Sequence, residues 1–374
     1  TKSLSAQVIL VMGILITTAQ KDFLRLIRSL SRDISPHPPY LFHMPETSQA
    51  VLSQDRPYLQ LNEGYLAIAS PDSIAETCFS IPAVRGIQAV RIAVVANHET
   101  APLWRKVDEV SRVVEHSRSD SARKISNLIR DSNLNIESTI AWENNSAAQA
   151  FAKIGIKNRL GFPNEKLVRY LTQSVRVAQK SGPIVHRVQS YLNFVKKLGF
   201  DPFHAAYFAP PPRPQAPELP ILAISPGSDF GDAAEWPIDR FTELANEFSG
   251  KYDLAIIPHP DRPEPALALA HSLGKQVCSS EGTELIDFLA TCHGLIASDS
   301  SIPHLAAFVG TPSLVFFGPN EPEWRRPLGK IHQVIHEHVA CSGCLLNKCP
   351  LDHRCMTEIT SARALAEARS LFGE

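Results

Sequence analysis

The sequence predicts an α/β protein of two doubly wound lobes that face each other across a cleft, on three observations. The chain has 374 residues, and domains commonly run about 100–200 residues, so two fit. From Tyr65 onward short apolar runs alternate with longer amphipathic stretches, the order of a parallel sheet with helices on both faces. A stretch with dense proline, 208–220, divides that series in two and stiffens the backbone toward an extended form.

The boundaries expected from this are an N-terminal segment 1–62, a first lobe 63–207, the linker 208–220 and a second lobe 221–374. Within 1–62 the run 8–16 is apolar and reads as a buried strand, followed by an amphipathic helix over 21–34. That run is too short to cross a bilayer, which takes about 20 residues. In the first lobe strands are expected over 65–69, 91–97, 109–115 and 136–141. Helices are expected over 77–88, 119–131 and 146–155, with a long one over 169–198. Pro82 fits the first of these only within its first turn. In the second lobe strands are expected over 221–225, 254–257, 294–298 and 313–317, and helices over 238–248, 264–273, 283–291, 303–309 and 361–372.

Composition is that of an ordinary globular protein, 44% hydrophobic and 20% charged. Formal net charge is −1, from 37 basic and 38 acidic residues. That argues against broad binding of a phosphate backbone, so no nucleic-acid partner is expected. Of the 7 cysteines, Cys78, Cys278 and Cys292 are scattered, which suggests a reducing, cytoplasmic setting. The other four, Cys341, Cys344, Cys349 and Cys355, have the spacing C-x2-C-x4-C-x5-C. A structural zinc ion, disulfides and reduced packed thiols are all open readings, and the spacings are shorter than in a two-knuckle zinc site. His353 is a substitute ligand in the first.

Two turns carry candidate chemistry. After the strand 221–225 comes Pro226-Gly227-Ser228-Asp229-Phe230-Gly231, then Trp236-Pro237 and a helix. Glycine permits close backbone approach, and amides in such a turn can hold phosphate oxygens. After the strand 294–298 comes Asp299-Ser300-Ser301-Ile302-Pro303-His304. Ser301 suits an N-cap and Pro303 a first helical turn, so the amides there form an anion site. Capping alone accounts for the serines but not for His304. Neither lobe shows Gly-x-Gly-x-x-Gly after its first strand, which excludes a nicotinamide-binding fingerprint.

The run 297–317, ASDSSIPHLAAFVGTPSLVFF, with Gly318-Pro319 after it, is similar to the signature of glycosyltransferase family 9, the ADP-heptose:lipopolysaccharide heptosyltransferases. Pro226-Gly227 with Trp236-Pro237 resembles the family's other C-terminal signature, and Cys341-Ser-Gly-Cys344 with Cys355-Met356 a further segment. More loosely, 67–86 (AIASPDSIAETCFSIPAVRG) and 154–162 (IGIKNRLGF) resemble its N-terminal half. The resemblance spans about 65–370 and leaves 1–62 outside.

It implies two facing Rossmann-like domains of the GT-B type, the nucleotide-sugar on the second and the acceptor on the first. It also implies inverting, metal-independent transfer of heptose from ADP-heptose to a lipid-linked oligosaccharide core, in peripheral contact with the inner membrane. The family's general base is an Asp in Ser-x-Gly-Asp, and the matching run here is Ser73-Ile74-Ala75-Glu76. Glu76 is therefore the candidate base across the cleft from the Asp299 loop, with a solvated first-turn carboxylate as the other reading. The diphosphate is expected on the turn of Ser228 and Asp229 and on the loop of Asp299, Ser300, Ser301 and His304, with Glu284 at the nucleoside. Departures are Ala75 for Gly, Ser301 for Gly, and Ala234, beside Glu235, for the family's phosphate-binding Lys. Arg325 and Arg326 are the candidates to supply that charge. The changes also leave room for an impaired family member that acts as a nucleotide- or glycan-binding scaffold.

Overall fold

The computed structural model describes residues 58–59, 61–177 and 182–373, all within the compact unit Asp55–Glu374. The strand expected over 8–16 and the helix over 21–34 lie outside the described residues.

The first lobe is a six-stranded parallel sheet. Its strands are β1 (Tyr65–Ala69), β2 (Arg91–Asn97), β3 (Val110–His116), β4 (Ile136–Ala141), β5 (Asn158–Gly161) and β6 (Gln173–Ser174), in the order β3-β2-β1-β4-β5-β6. Leu66, Ala67 and Ile68 are fully buried, as expected of a central strand covered on both faces. The helices are α1 (Ile74–Arg85), α2 (Ala101–Trp104), α3 (Ala122–Asp131), α4 (Ser146–Lys153) and α5 (Val188–Lys197). Ser73, Ser121 and Asn145 cap α1, α3 and α4, each side chain accepting an amide three residues on. The strand order reverses between β1 and β4. The loops after these two strands therefore open a crevice at their carboxyl ends, where open α/β sheets bind ligands.

Two expectations fail here. The helix expected over 169–198 is only α5. Upstream of it the Thr172 amide donates to the Arg159 carbonyl and the Arg159 amide to Thr172 Oγ1, and Gln173–Ser174, in a β-prone run, joins the sheet as a short edge strand. Pro183 breaks the expected helical run, and α5 starts only at Val188. Pro82 also sits deep in α1, not in its first turn, and is buried there. It costs the helix one hydrogen bond four residues before Gly86 ends it.

The second lobe is a five-stranded parallel sheet of β7 (Ile221–Ser225), β8 (Asp253–Ile256), β9 (Gly294–Ser298), β10 (Ser313–Phe317) and β11 (His332–His336), ordered β11-β10-β9-β7-β8. Around it lie α6 (Ile238–Phe248), α7 (Glu264–Ser272), α8 (Gly282–Thr291), α9 (Ser301–Val309), α10 (Pro322–Arg325), α11 (Arg354–Thr357) and α12 (Ser361–Phe372). Strand β11, with a histidine at each end, has no counterpart in the sequence reading. The order reverses between β7 and β9, so the turns after those strands face the first lobe's crevice.

Aromatic packing anchors this lobe. Trp236 stacks on Phe316 at 4.2 Å, Phe241 meets Phe316 edge-on at 5.5 Å, and the Trp236 indole N–H donates to the Ile359 carbonyl at 3.0 Å. Phe316→Ala is expected to cost about 3–5 kcal/mol, read as a lower urea midpoint at unchanged slope. The two lobes share one apolar cluster, in which Cys78 and Phe79 of α1 meet Ile302, Leu305 and Phe308 of α9. Arg85 and Arg213 tie the proline-rich stretch to both lobes through backbone carbonyls.

Candidate active site

On the first lobe, Ser73 turns the chain from β1 into α1 and sets Glu76 in the first turn. The Glu76 carboxylate accepts from Arg187 Nε at 3.1 Å on each oxygen and from the Tyr191 hydroxyl. Residues 187 and 191 are one helical turn apart, so α5 presents both to Glu76 from a single face. Burial, reinforced by the Glu76 charge, pushes the Tyr191 hydroxyl well above its ordinary range, so it stays protonated and donates.

From the loop after β4, Glu143 accepts the Asp72 amide at 2.8 Å. Asp72 in turn accepts from Asn145 Nδ2 at 3.3 Å. Burial pushes both carboxyls up: Glu143 against its Asp72 amide bond, Asp72 against the charges of His116 and Arg118. Neither residue was singled out from sequence. The signal available was position: both lie just past the carboxyl ends of the strands flanking the switch point.

On the second lobe, Asp299 follows β9 and is buried. One carboxylate oxygen accepts from Asn320 Nδ2 at 2.5 Å and the other has no partner. Burial pushes this carboxyl up to about 6. His304, one turn into α9, is 1% exposed. Burial, then the Arg325 charge, pulls it well down, so the ring is neutral. Buried polar groups are normally hydrogen-bonded. Of the ten buried side-chain atoms without a partner among the described residues, six collect here: Asp299 Oδ1, Ser300 Oγ, His304 Nδ1 and Nε2, Asn320 Oδ1 and Arg325 Nε. The Arg325 charge acts on both Asp299 and His304.

In the turn after β7, three amides have acceptors within the protein. The Ser228 amide donates to Glu235 at 3.2 Å, the Phe230 amide to Ser228 Oγ at 3.1 Å and the Gly231 amide to the Ser228 carbonyl at 3.3 Å. Ser228 Oγ donates to the Asp299 carbonyl at 2.5 Å, so Ser228 is an internal latch between the two turns. Asp229 accepts the Ser301 amide at 3.1 Å and so occupies the start of α9 itself. Ser301 Oγ pairs with His259 Nε2 at 2.8 Å. The helix begins with Ser300, not Ser301, at its N-cap.

Ala234 is buried, and Glu235 is held by Arg262 through bonds of 3.2 and 3.0 Å. Gly227 admits no side chain, since a Cβ would stand 2.5 Å from the Arg262 carbonyl. Glu284 is exposed in the first turn of α8 and makes no described contact with the Asp299 group.

The two halves of the site are clasped together. The Arg187 amide donates to the Trp324 carbonyl at 2.8 Å, and His186 Nε2 donates to the Arg326 carbonyl at 2.8 Å, its Nδ1 being the acceptor of the Val188 amide. Phe79, one turn beyond Glu76, lies edge-on to His304 at 4.9 Å and to His186 at 5.0 Å. The open gap expected between Glu76 and the Asp299 loop is thus shut at its deep end by α1 against α9. Of the two candidate arginines, Arg325 stands in the orphaned group, while Arg326 is spent on the His332 carbonyl at 2.9 Å.

The cysteine cluster follows β11. Burial, then the neighbouring Cys341, Cys349 and Cys344, pushes the Cys355 thiol up to about 11, so the four lie in one region. All four are free thiols. Among the described residues no group of three or more His, Cys, Asp or Glu is arranged to hold a metal ion. No described helix is long and apolar enough to cross a membrane.

The chain is similar to lipooligosaccharide heptosyltransferase 2 of Campylobacter jejuni, 26% identical over 165 residues, covering 41% of this chain and 51% of that protein. Against lipopolysaccharide heptosyltransferase 2 of Salmonella typhimurium the figures are 26% over 170 residues, 42% and 48%. The chain therefore spans about half the length of these two. Against lipooligosaccharide heptosyltransferase 2 of Haemophilus influenzae they are 25% over 321 residues, 76% and 91%. Among solved structures, E. coli ADP-heptose lipopolysaccharide heptosyltransferase II superposes with TM-score 0.65 at 20% identity, covering 82% of this chain and 98% of that one. A glycosyl transferase family 9 protein of Veillonella parvula gives 0.70 at 14%, covering 84% and 98%. At these identities the superpositions speak for the fold alone, two facing Rossmann-like lobes of the GT-B type. The profile of glycosyltransferase family 9 (heptosyltransferase) matches residues 144–354, more than half of the sequence and the stretch that holds Arg187, Asp299, His304 and Arg325, so the chain belongs to glycosyltransferase family 9.

Proposed function

We propose that the chain is an inverting, metal-independent glycosyltransferase that moves heptose from ADP-heptose to a lipopolysaccharide core acceptor, at the inner face of the cytoplasmic membrane. The first lobe, 63–207, takes the acceptor and the second, 221–374, the nucleotide-sugar, with 208–220 as linker. The observation that carries this is the knot of six orphaned buried polar atoms around Asp299 and His304, clasped against a first-lobe carboxylate. Dry, unpaired groups of this kind cost stability, and a ligand that bonds to them supplies the compensation.

In this reading Glu76 takes the proton of an acceptor hydroxyl, held in place by Arg187 and Tyr191. The freed oxygen attacks the anomeric carbon from the face opposite the diphosphate, and the bond to ADP breaks with inversion. The leaving diphosphate is met by Arg325, Ser300 and neutral His304. Fixed donors aimed at developing charge are usually the largest catalytic contribution. Arg325 stands where a cation is wanted, since buried Ala234 offers none. Losing a hydrogen bond to a charged group costs about 1.5–3 kcal/mol, so Arg325→Ala is expected to weaken ADP binding roughly 10- to 100-fold by calorimetry. Unchanged affinity removes Arg325 from the site.

The test of the whole reading is release of ADP from ADP-heptose that depends on a heptose-terminated core oligosaccharide. A second reading, a nucleotide-binding scaffold, is favoured by one observation: Asp229 and Glu235 already occupy the amides of Ser301 and Ser228. ADP binding without acceptor-dependent release selects it, and the absence of both discards the two together.

A further inference from the structure

The inference rests on the transferase reading and concerns which acceptor the first lobe admits. Proton transfer needs one carboxylate, yet three interact at the strand-end side of this lobe: Glu76 and Glu143 at Arg187, and Asp72 bonded to Glu143. Glu76 holds Arg187 at 3.1 Å. Glu143 feels the charges of Asp72, Glu76 and Arg187 together. Asp72 is joined to Glu143 through its amide and to Asn145 through its carboxylate. Around Asp72 stand His116 and Arg118, opposed by Glu99.

A second feature belongs to the same group. Trp142 precedes Glu143 in the chain, is 5% exposed, and its indole N–H has no acceptor. Its ring lies edge-on to Tyr191 at 5.1 Å and to Phe194 at 4.9 Å, and the Tyr191 hydroxyl is on Glu76. A buried indole N–H nearly always finds a partner. One left open beside excess carboxylate suits a ligand rich in hydroxyls, which accept from the indole and donate to the carboxylates. It does not suit an anion, which would meet like charge in a poorly hydrated place.

We propose that Asp72 and Glu143 are specificity-determining residues that restrict the acceptor to an uncharged sugar, one with no carboxylate or phosphate beside the accepting hydroxyl. They act by repulsion of the wrong acceptor, while Glu76 serves the proton transfer.

The experiment uses the full chain, ADP-heptose as donor, and two oligosaccharide acceptors matched in length, one ending in a neutral heptose and the other in a sugar acid. Glu143→Gln and Asp72→Asn keep shape and remove charge, and Gln retains a carbonyl for the Asp72 amide. Wild type is expected to favour the neutral acceptor by about tenfold or more in kcat/KM, since like charges placed together cost several kcal/mol. Each variant is expected to shrink that ratio at least about threefold by raising use of the acidic acceptor. Equal use of the two acceptors by wild type, or preference for the acidic one, overturns the proposal and leaves the transferase reading standing. Equal loss on both acceptors in the variants, with the ratio unmoved, shows a merely structural role and also overturns it. No transfer to either acceptor removes the transferase reading and this inference with it.

Discussion

Glu76→Gln is expected to lower kcat by about 10²- to 10⁴-fold, the usual contribution of a positioned general base, while leaving ADP affinity within about twofold. The expectation follows from where the carboxylate sits. Glutamine keeps the length of the side chain, and its carbonyl still accepts from the Tyr191 hydroxyl. Arg187 loses one of its two bonds to the carboxylate but keeps its backbone tie to Trp324, so the clasp between the lobes survives. What disappears is an oxygen able to take a proton. The defect therefore belongs to the chemical step and not to donor binding. Steady-state turnover with saturating ADP-heptose, alongside ADP titration of the same variant, separates the two. If turnover survives, the proton goes elsewhere, and Glu143, which feels the charge of Glu76, is then the next carboxylate to test.

The strands that carry this candidate site are legible because their apolar runs are unmistakable. β1, β2, β4, β7, β9 and β10 read correctly from pattern, and the loop from Asp299 to His304 fell out as the polar run between a buried strand and a helix. What pattern could not give was pairing across long separations. Arg187 and Tyr191 lie in a stretch whose pattern predicts a helix twenty residues longer than α5, since nothing local says that Gln173–Ser174 docks on β5 as an edge strand. Glu143 and Asp72 carry no motif and matter only once β1 and β4 lie side by side. The Ser228 turn misled for a related reason. Its small residues do suit an anion, but Glu235 and Ser228 Oγ take the Ser228 and Phe230 amides, and Asp229 takes the Ser301 amide at the start of α9. Strand β11 was missed because two histidines and a glutamine weaken its apolar signal, although Ser313 Oγ pairing with His332 at 2.8 Å fixes it to β10.

Asp299→Asn is expected to stabilise the ligand-free protein and to impair it as a catalyst. The carboxyl is pushed up to about 6 from an ordinary 3.8 because it is fully buried, and Arg325 and Asn320 only partly offset that. A carboxyl raised in the folded state opposes folding when ionised. Below about pH 4 it is protonated both folded and unfolded and costs nothing; above about pH 6 it is ionised in both, and the full cost stands. Wild-type stability thus falls on account of this group as pH rises from 4 to 6. The neutral amide escapes that loss. The gain should be on the order of 2–3 kcal/mol at pH 8, from 1.36 kcal/mol for each pH unit between 3.8 and about 6, and should vanish near pH 4. Urea midpoints of the two proteins measured across this range test it. The oxygen of the new amide can still accept from Asn320 Nδ2, so the exchange keeps the one side-chain bond that the carboxylate makes. Turnover should move the other way, with kcat/KM for ADP-heptose down by about tenfold or more if the ionised carboxylate orders the donor-side loop. A residue kept for packing would not show opposite signs in stability and activity, whereas a charge held in the dry against its own cost is what a working site requires. An amide variant that is less stable at pH 8 would mean that Asp299 is compensated in the fold, and the orphaned group around it would lose its centre.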